Sequence, residues 1–239
     1  MNLLEMTSMS KRFGALVVTD ALGMTVREGE IVGILGPNGA GKTTLFNLIA
    51  GTLQPDSGNI SFNGEDVSAL RAADRCKRGI ARSFQVPQPF NGMTVYENAL
   101  LAATFGREPL DPEARALAAL EQSGMKAKAN TAAGKLTLLD RKRLELARAL
   151  AANPKLLLLD EIAGGLTDSE CVSLLAAIKD VHAQGVTIVW IEHVVHALLS
   201  VAQRLVVLNF GKIIADGNPR EIMNSREVKS IYLGEDVHG

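Results

Sequence analysis

The chain has 239 residues, 47% hydrophobic and 21% charged, which is long enough to bury a sizeable core and ordinary for a folded globular protein. Its 25 basic and 26 acidic residues leave a formal charge of −1, so no basic surplus argues for a nucleic-acid partner. No run approaches the roughly 20 apolar residues of a membrane-spanning helix and the first 13 residues lack a signal-peptide core, so a cytosolic protein is expected.

Residues 2–27 mix short apolar runs with turn signals at Phe13-Gly14 and at residues 27–30, which predicts strands of a small antiparallel sheet. Phe13 is the only aromatic residue before position 36; it is either a core residue or a flat face on which a base could stack. An apolar run at 31–35 then leads into GPNGAGKTT at 36–44, followed by a helix-like segment to Ala50.

This stretch fits the phosphate-binding template G-x-x-x-x-G-K-[ST] at Gly36, Gly41, Lys42 and Thr43. Gly36, Gly39 and Gly41 let the backbone bend around an anion with its N–H groups turned inward, and the helix start adds partial positive charge there. Lys42 is expected to reach the β- and γ-phosphates of a nucleotide and Thr43 to offer its hydroxyl to Mg²⁺. A glycine-rich turn that binds nothing is the alternative; the strand before and the helix after are the context the template requires. The nucleotide-binding set is therefore Gly36, Pro37, Asn38, Gly39, Ala40, Gly41, Lys42, Thr43 and Thr44, with Phe13 as candidate base contact.

Gly51 is the residue type favoured just past a helix end, residues 55–58 (PDSG) form a turn, and residues 59–64 predict a hairpin returning to the first sheet. Residues 79–85 (GIARSFQ) read as a short buried strand ending at Gln85, which either caps a loop or serves as a Mg²⁺ and water ligand on a hinge. From residue 93 to 150 alanine, leucine and charged residues dominate, which predicts an inserted helical lobe broken at Pro109 and Pro112. Residues 137–140 (TLLD) match a capping box before the amphipathic run 141–151. The cations at 141–143 oppose the helix dipole and call for an anion or acidic neighbour.

Residues 155–161 (KLLLLDE) fit a strand covered on both faces and ending in two acids. In an open α/β sheet ligands bind beyond the carboxyl ends of strands, so Asp160 is expected to hold Mg²⁺ and Glu161 to orient or deprotonate the attacking water. A helix over 168–182, a turn at Gly185 and a buried strand over 186–191 follow, leaving His193 to meet a terminal phosphate or to act as a capping histidine. His193 and His196 have no third ligand in view, so a histidine-held metal site is not expected, and Cys76 and Cys171 belong to no C-x-x-C pair and read as small buried hydrophobes. Residues 204–209 and 211–217 predict a hairpin, and 219–233 a helical tail.

With GPNGAGKTT, SFQ, LLLLDE and IEH in that order, the chain resembles an ATP-binding cassette subunit of a membrane transporter. Residues 11–14 (KRFG), 144–150 (LELARAL), 191–198 (IEHVVHAL) and the closing LVVLNFGKIIADGNPREI and VKSIYLGE are similar to cassettes of branched-chain amino acid importers. The resemblance implies an α/β P-loop NTPase with a RecA-like core (31–57, 69–85, 152–217), an antiparallel β subdomain (1–30, 58–68), an inserted α-helical subdomain (86–151) and a tail (218–239). It implies an ATPase using ATP and Mg²⁺, peripheral on the cytoplasmic face of the membrane. Its implied partners are transmembrane permease subunits, a second cassette and, indirectly, a solute-binding protein. On this resemblance Phe13 matches the adenine-stacking aromatic, Gln85 the Q-loop glutamine, Asp160 the Mg²⁺ aspartate, Glu161 the catalytic glutamate and His193 the switch histidine. The segment after Gln85, especially residues 90–98 (FNGMTVYEN), matches the region that usually faces the membrane partner.

Two departures stand out. The family's LSGGQ signature is here Leu136, Thr137, Leu138, Leu139 and Asp140, which keeps a hydroxyl but loses both glycines. A side chain at Leu139 should hinder the close backbone approach that caps the partner's γ-phosphate, and Asp140 adds negative charge. In the D-loop, Gly165-Leu166-Thr167 carries Thr167 in place of the usual aspartate. The phosphate loop itself is expected to be competent and the lent signature weakened; the alternative is a local backbone rearrangement that lets LTLLD cap the phosphate anyway. The departures favour a heterodimer with a second, intact cassette over a homodimer.

Overall fold

The computed structural model describes residues 1–233. In chain order, β1 (Asn2–Phe13), β2 (Leu16–Arg27) and β3 (Ile31–Leu35) precede α1 (Lys42–Ala50), β4 (Ser57–Phe62) and β5 (Glu65–Asp66). Next come α2 (Ala72–Arg78), β6 (Ile80–Arg82), α3 (Val95–Phe105), α4 (Pro112–Gln122), two single 3-10 turns and α5 (Leu138–Ala151). β7 (Leu156–Asp160), α6 (Asp168–Ala183), β8 (Thr187–Ile191), α7 (Val195–Leu199), β9 (Arg204–Asn209), β10 (Lys212–Gly217), α8 (Pro219–Asn224) and α9 (Arg226–Leu233) complete it. The tail expected over 218–239 is two helices divided at Ser225; its last six positions, 234–239, lie outside the described residues.

Two compact units emerge, one of Met1–Leu70 with Val189–Gly239, the other of Arg71–Ile188. In the first, an antiparallel sheet has the order β2-β1-β4-β5. Alternation along β1 turns Leu4 and Met6 inward, and their cross-strand partners Val26, Met24, Phe62 and Ile60 are buried as well, so one face of the sheet is a continuous apolar layer. The same unit pairs β3 with β9 in parallel, Leu35 beside Val207, and closes β9 and β10 into the expected hairpin. All five residues of β3 are buried, as a strand covered on both faces requires. Arg204 at the start of β9 ties this layer together, donating to Asp216, to the Thr25 carbonyl and to Glu30.

In the second unit β6 and β7 run parallel, with Ile80 beside Leu156 and Arg82 beside Leu158. The strand expected over 79–85 holds only Ile80, Ala81 and Arg82. At Ser83 the backbone N–H still reaches the Leu158 carbonyl (2.9 Å), and beyond it Phe84 and Gln85 turn into solvent. Helices α3, α4 and α5 pack on one another through small buried side chains, among them Ala99, Ala103, Ala116, Ala119 and Ala147, which let their backbones approach closely. Thr94 and Glu97 form a reciprocal capping box at the start of α3. Pro112, read from sequence as a breaker, opens α4 in the first turn, where a missing N–H costs nothing.

Candidate active site

In the first unit the buried strand β3 delivers the chain to the phosphate loop, and α1 begins immediately after it. The three glycines are needed for different reasons. A Cβ at Gly36 would stand 2.4 Å from the Leu208 carbonyl oxygen of β9, so only glycine fits beside that strand. Gly41, the N-cap of α1, has φ of +103°, and a Cβ there would lie 2.7 Å from the Val18 carbonyl oxygen of β2. Gly39 has φ of +83° with open space around it, so conformation alone selects it. On its outer side the loop is braced by the β9–β10 turn: the Gly211 N–H donates to the Ala40 carbonyl (3.0 Å), and the Gly211 carbonyl accepts from Asp20 (3.1 Å).

No side chain caps the N-terminus of α1, and its first turn holds no acidic residue. The first N–H groups of a helix lack partners within it and carry partial positive charge, so this end is suited to an anion. Lys42, 9% exposed, folds back onto its own loop and donates to the carbonyls of Gly36 (2.6 Å) and Pro37 (3.0 Å). Thr43 is exposed and Thr44 half-buried. Phe13 sits at the end of β1 with half of its surface in solvent, and the Lys11 ammonium lies 5.8 Å from its ring centre. His193 follows β8 and is exposed. The buried Glu192 carboxylate accepts the backbone N–H of His193 (3.0 Å) and lies 3.4 Å from its Nδ1, which orients the imidazole.

The second unit carries the acidic pair. β7 is buried throughout and ends at Asp160, itself 4% exposed. The Arg82 guanidinium donates to Asp160 Oδ2 (2.6 Å), and the Asp160 backbone N–H donates to Ser83 Oγ (3.2 Å). Glu161 adopts φ of +45°, an uncommon left-handed conformation for a side-chain-bearing residue. Its carbonyl accepts from Lys142 Nζ (3.3 Å) and Gly164 N–H (3.3 Å), while its carboxylate accepts from Gln85 Nε2 (2.5 Å). Two of the sequence-predicted residues, Gln85 and Glu161, are thus in direct contact.

Residues 136–140, read from sequence as an altered signature, lead into α5. Thr137 is its N-cap and its hydroxyl accepts from the Asp140 N–H (3.3 Å). The predicted capping box is not completed at the backbone: the Asp140 carboxylate instead accepts from the Thr137 hydroxyl (2.8 Å) and from Lys128 (2.5 Å). The charge feared at this helix end is therefore spent inside the second unit. Burial alone would raise the Asp140 pKa, but Lys128 and Thr137, aided by Arg143, hold it below the usual carboxylate value. Leu136 is buried, Leu138 is half-exposed, and Leu139 is half-buried. A Cβ at Gly165 would lie 3.5 Å from Leu138 Cδ2, so the D-loop passes close to the signature leucine. Thr167, in the place of the usual aspartate, caps α6 in a reciprocal box with Glu170.

The cations at 141–143 have partners: Arg141 donates to the Leu136 and Gly134 carbonyls, Lys142 to the Glu161 carbonyl, and Arg143 to Ser173 Oγ while its charge also acts on the Asp140 carboxylate. Lys142 was thus missed as a site residue, as were Arg82, Glu145 and Arg148. Glu145 accepts from the Gln88 N–H (3.0 Å) and from Arg148 (2.7 Å), and Arg148 donates to the Gln88 carbonyl (2.9 Å), so α5 holds the backbone just after Gln85. Burial pushes the Glu145 carboxyl up, against the opposing charge of Arg148. One signal for Arg82 was available: an arginine inside an otherwise buried strand needs an acid nearby.

Taken unit by unit, the Thr43 hydroxyl in the first and the Gln85 amide and Asp160 carboxylate in the second each carry an oxygen of the type Mg²⁺ prefers. Among the described residues no cluster of three or more His, Cys, Asp or Glu could hold a metal ion.

Gly36→Ala is expected to lower both stability and nucleotide affinity, because the new methyl group meets backbone atoms of β9 that cannot yield. Gly39→Ala should cost only the conformational strain, about 1 kcal/mol; thermal unfolding and titration with a fluorescent nucleotide would rank the two. Asp140→Asn should cost about 1 kcal/mol at neutral pH. Because the folded carboxyl titrates below its unfolded value, that stabilisation is complete above the unfolded pKa and lost as pH falls through the folded one. Denaturant curves for the two proteins should therefore converge in acid.

Residues 19–164 match the family model described as ABC transporter, and residues 212–238 match the one described as branched-chain amino acid ATP-binding cassette transporter. The lipopolysaccharide export system ATP-binding protein LptB of Haemophilus influenzae is 38% identical over 238 residues, covering 98% of each chain. The high-affinity branched-chain amino acid transport ATP-binding protein BraF of Pseudomonas aeruginosa is 34% identical over 250 aligned positions, again covering 98% of each. A crystal structure of the ADP conformation of an ATP-binding cassette of an ABC transporter matches with a TM-score of 0.88 at 31% identity, over 98% of this chain and 100% of that one. Since the transporter family model alone takes in more than half of the residues, and relatives at 34% and 38% identity run alongside almost end to end, the chain belongs to the ABC transporter family: it is an ATP-binding cassette with the P-loop NTPase fold, an ATPase of the kind that powers transport.

Proposed function

We propose that this cassette drives an importer of branched-chain or other hydrophobic amino acids from the cytoplasmic face of the membrane. The observation that carries this reading is the match of residues 212–238 to the branched-chain amino acid cassette model, joined by the similarity to BraF. A second reading, an exporter cassette, is favoured by the equally extensive similarity to LptB. No helix among the described residues is long and apolar enough to cross a membrane, and transmembrane permease subunits are the proposed partners in either reading. Phe84, Val86 and Phe90 are exposed apolar side chains in the segment after β6, and they supply a surface for such a subunit.

In this reading Phe13 stacks on adenine and the N–H groups of residues 36–44 surround the phosphates. Lys42 exchanges the neutral carbonyls of Gly36 and Pro37 for charged phosphate oxygens, which are stronger acceptors. Thr43, Gln85 and Asp160 hold Mg²⁺, which supplies charge neutralisation of the phosphates when bound. Glu161 orients and deprotonates the attacking water, Gln85 restrains the Glu161 carboxylate, and His193, oriented by Glu192, meets the terminal phosphate. The segment Leu136, Thr137, Leu138, Leu139 and Asp140 is lent to a second cassette. Leu138, half-exposed, and Leu139, half-buried, occupy a helix end that glycines would leave open, so a heterodimer with an intact cassette is the proposed assembly.

Glu161→Gln should lower kcat on the order of a hundredfold to ten-thousandfold while nucleotide still binds; unchanged hydrolysis would remove Glu161 from the mechanism. The purified chain alone should hydrolyse ATP weakly and without cooperativity, and strong cooperative turnover would argue for a homodimer. Membrane subunits that co-purify with the chain and, in proteoliposomes, take up leucine or valine only with a solute-binding protein support import. Outward movement of a lipid would establish the exporter reading.

A further inference from the structure

Residues 82–84 grip the end of β7 at three points. Ser83, fully buried, receives the Asp160 N–H on its hydroxyl (3.2 Å) and gives its own N–H to Leu158 (2.9 Å). Arg82 and Asp160 form an ion pair at 2.6 Å with side chains only 10% and 6% exposed. The same guanidinium lies 5.5 Å from the ring centre of Phe84, which is 47% exposed. A buried ion pair contributes little net stability, because both charges lose their water, so stability alone is a poor account of an arginine at this place. What it does supply is direction: with Oδ2 committed to a guanidinium that is itself backed by an aromatic ring, the carboxylate is fixed in rotation.

We propose that Arg82 is the positioning residue for Asp160, fixing its carboxylate for the metal that accompanies nucleotide, and that Phe84 holds Arg82 in place from the protein surface. This deepens the proposed function and rests on its reading of Asp160 as the metal-holding carboxylate. Hydrogen-bonded partners of metal-binding carboxylates orient them and raise metal affinity. The outer end of this contact is exposed at Phe84, one residue before Gln85 and the segment proposed to face the membrane subunit. A side chain seated on Phe84 therefore acts on the metal site through one arginine.

The test is equilibrium binding of a fluorescent ADP analogue to the full chain, read as the Mg²⁺ concentration that gives half of the metal-dependent gain in affinity; no turnover is needed. Arg82→Met should raise that concentration on the order of tenfold, with metal-free affinity unchanged. Arg82→Lys, which keeps a charge within reach of Oδ2, should recover most of the loss. Phe84→Ala leaves the ion pair in place and should shift it about threefold in the same direction; it remains informative if Arg82→Met fails to fold. In an Asp160→Asn background neither change should add to the effect. An unchanged or lower half-saturating Mg²⁺ in both Arg82→Met and Phe84→Ala, or an equal fall in metal-free affinity, would overturn the inference. If Asp160→Asn itself leaves the Mg²⁺ dependence intact, the assignment of Asp160 fails instead.

Discussion

The close approach of backbone to backbone around residues 36–41 governs what the first unit can do. Gly36 lies against the Leu208 carbonyl and Gly41 against the Val18 carbonyl, with less room than a single methyl group requires. This leaves a helix start, held by β2 on one side and β9 on the other, whose N-cap glycine brings no side chain of its own. Preorganised donors of this kind need no rearrangement when an anion arrives, and preorganisation is where electrostatic binding and catalysis gain most. The loop is thus defined by its packing as much as by its affinity for phosphate.

The second unit shows a comparable economy at the end of β7. A strand buried on both faces cannot carry charges until its last residue, so Asp160 and Glu161 come just where the apolar run stops. Each is then restrained by partners from elsewhere in the unit: Arg82 and Ser83 on Asp160, Gln85 and Lys142 on Glu161. The left-handed backbone of Glu161 is a local strain that the buried Lys142 helps to hold.

Helix α5 joins the features that set this cassette apart. Its first turn is the altered signature, its second sends Lys142 to the Glu161 carbonyl, and Glu145 and Arg148 farther along hold the backbone at Gln88. The segment after β6 is thus tied to α5 by charge-assisted contacts that are buried at Glu145. The cations at the N-terminal end of α5 work against the helix dipole but donate to nearby oxygens, Arg141 and Lys142 to carbonyls and Arg143 to the Ser173 hydroxyl.

How much of this could be read from residues alone follows from the range of each interaction. The phosphate loop, the acidic strand end and the order of strands and helices are local patterns of glycine, charge and apolar period, and they were legible as written. The strand at 79–85 proved shorter because its boundary is set by a hydrogen bond to β7, not by its own composition. The capping box at Thr137 was half right: Thr137 does cap, yet Asp140 turns to Lys128, a partner 12 positions earlier that no local pattern announces. Amino-acid order determined which groups could bind a nucleotide and where the chain would place them along its elements. Only the tertiary structure decided that Gly36 is required by β9, that Arg82 belongs to Asp160 and that Lys142 belongs to Glu161, because each of these depends on distances between segments remote in sequence.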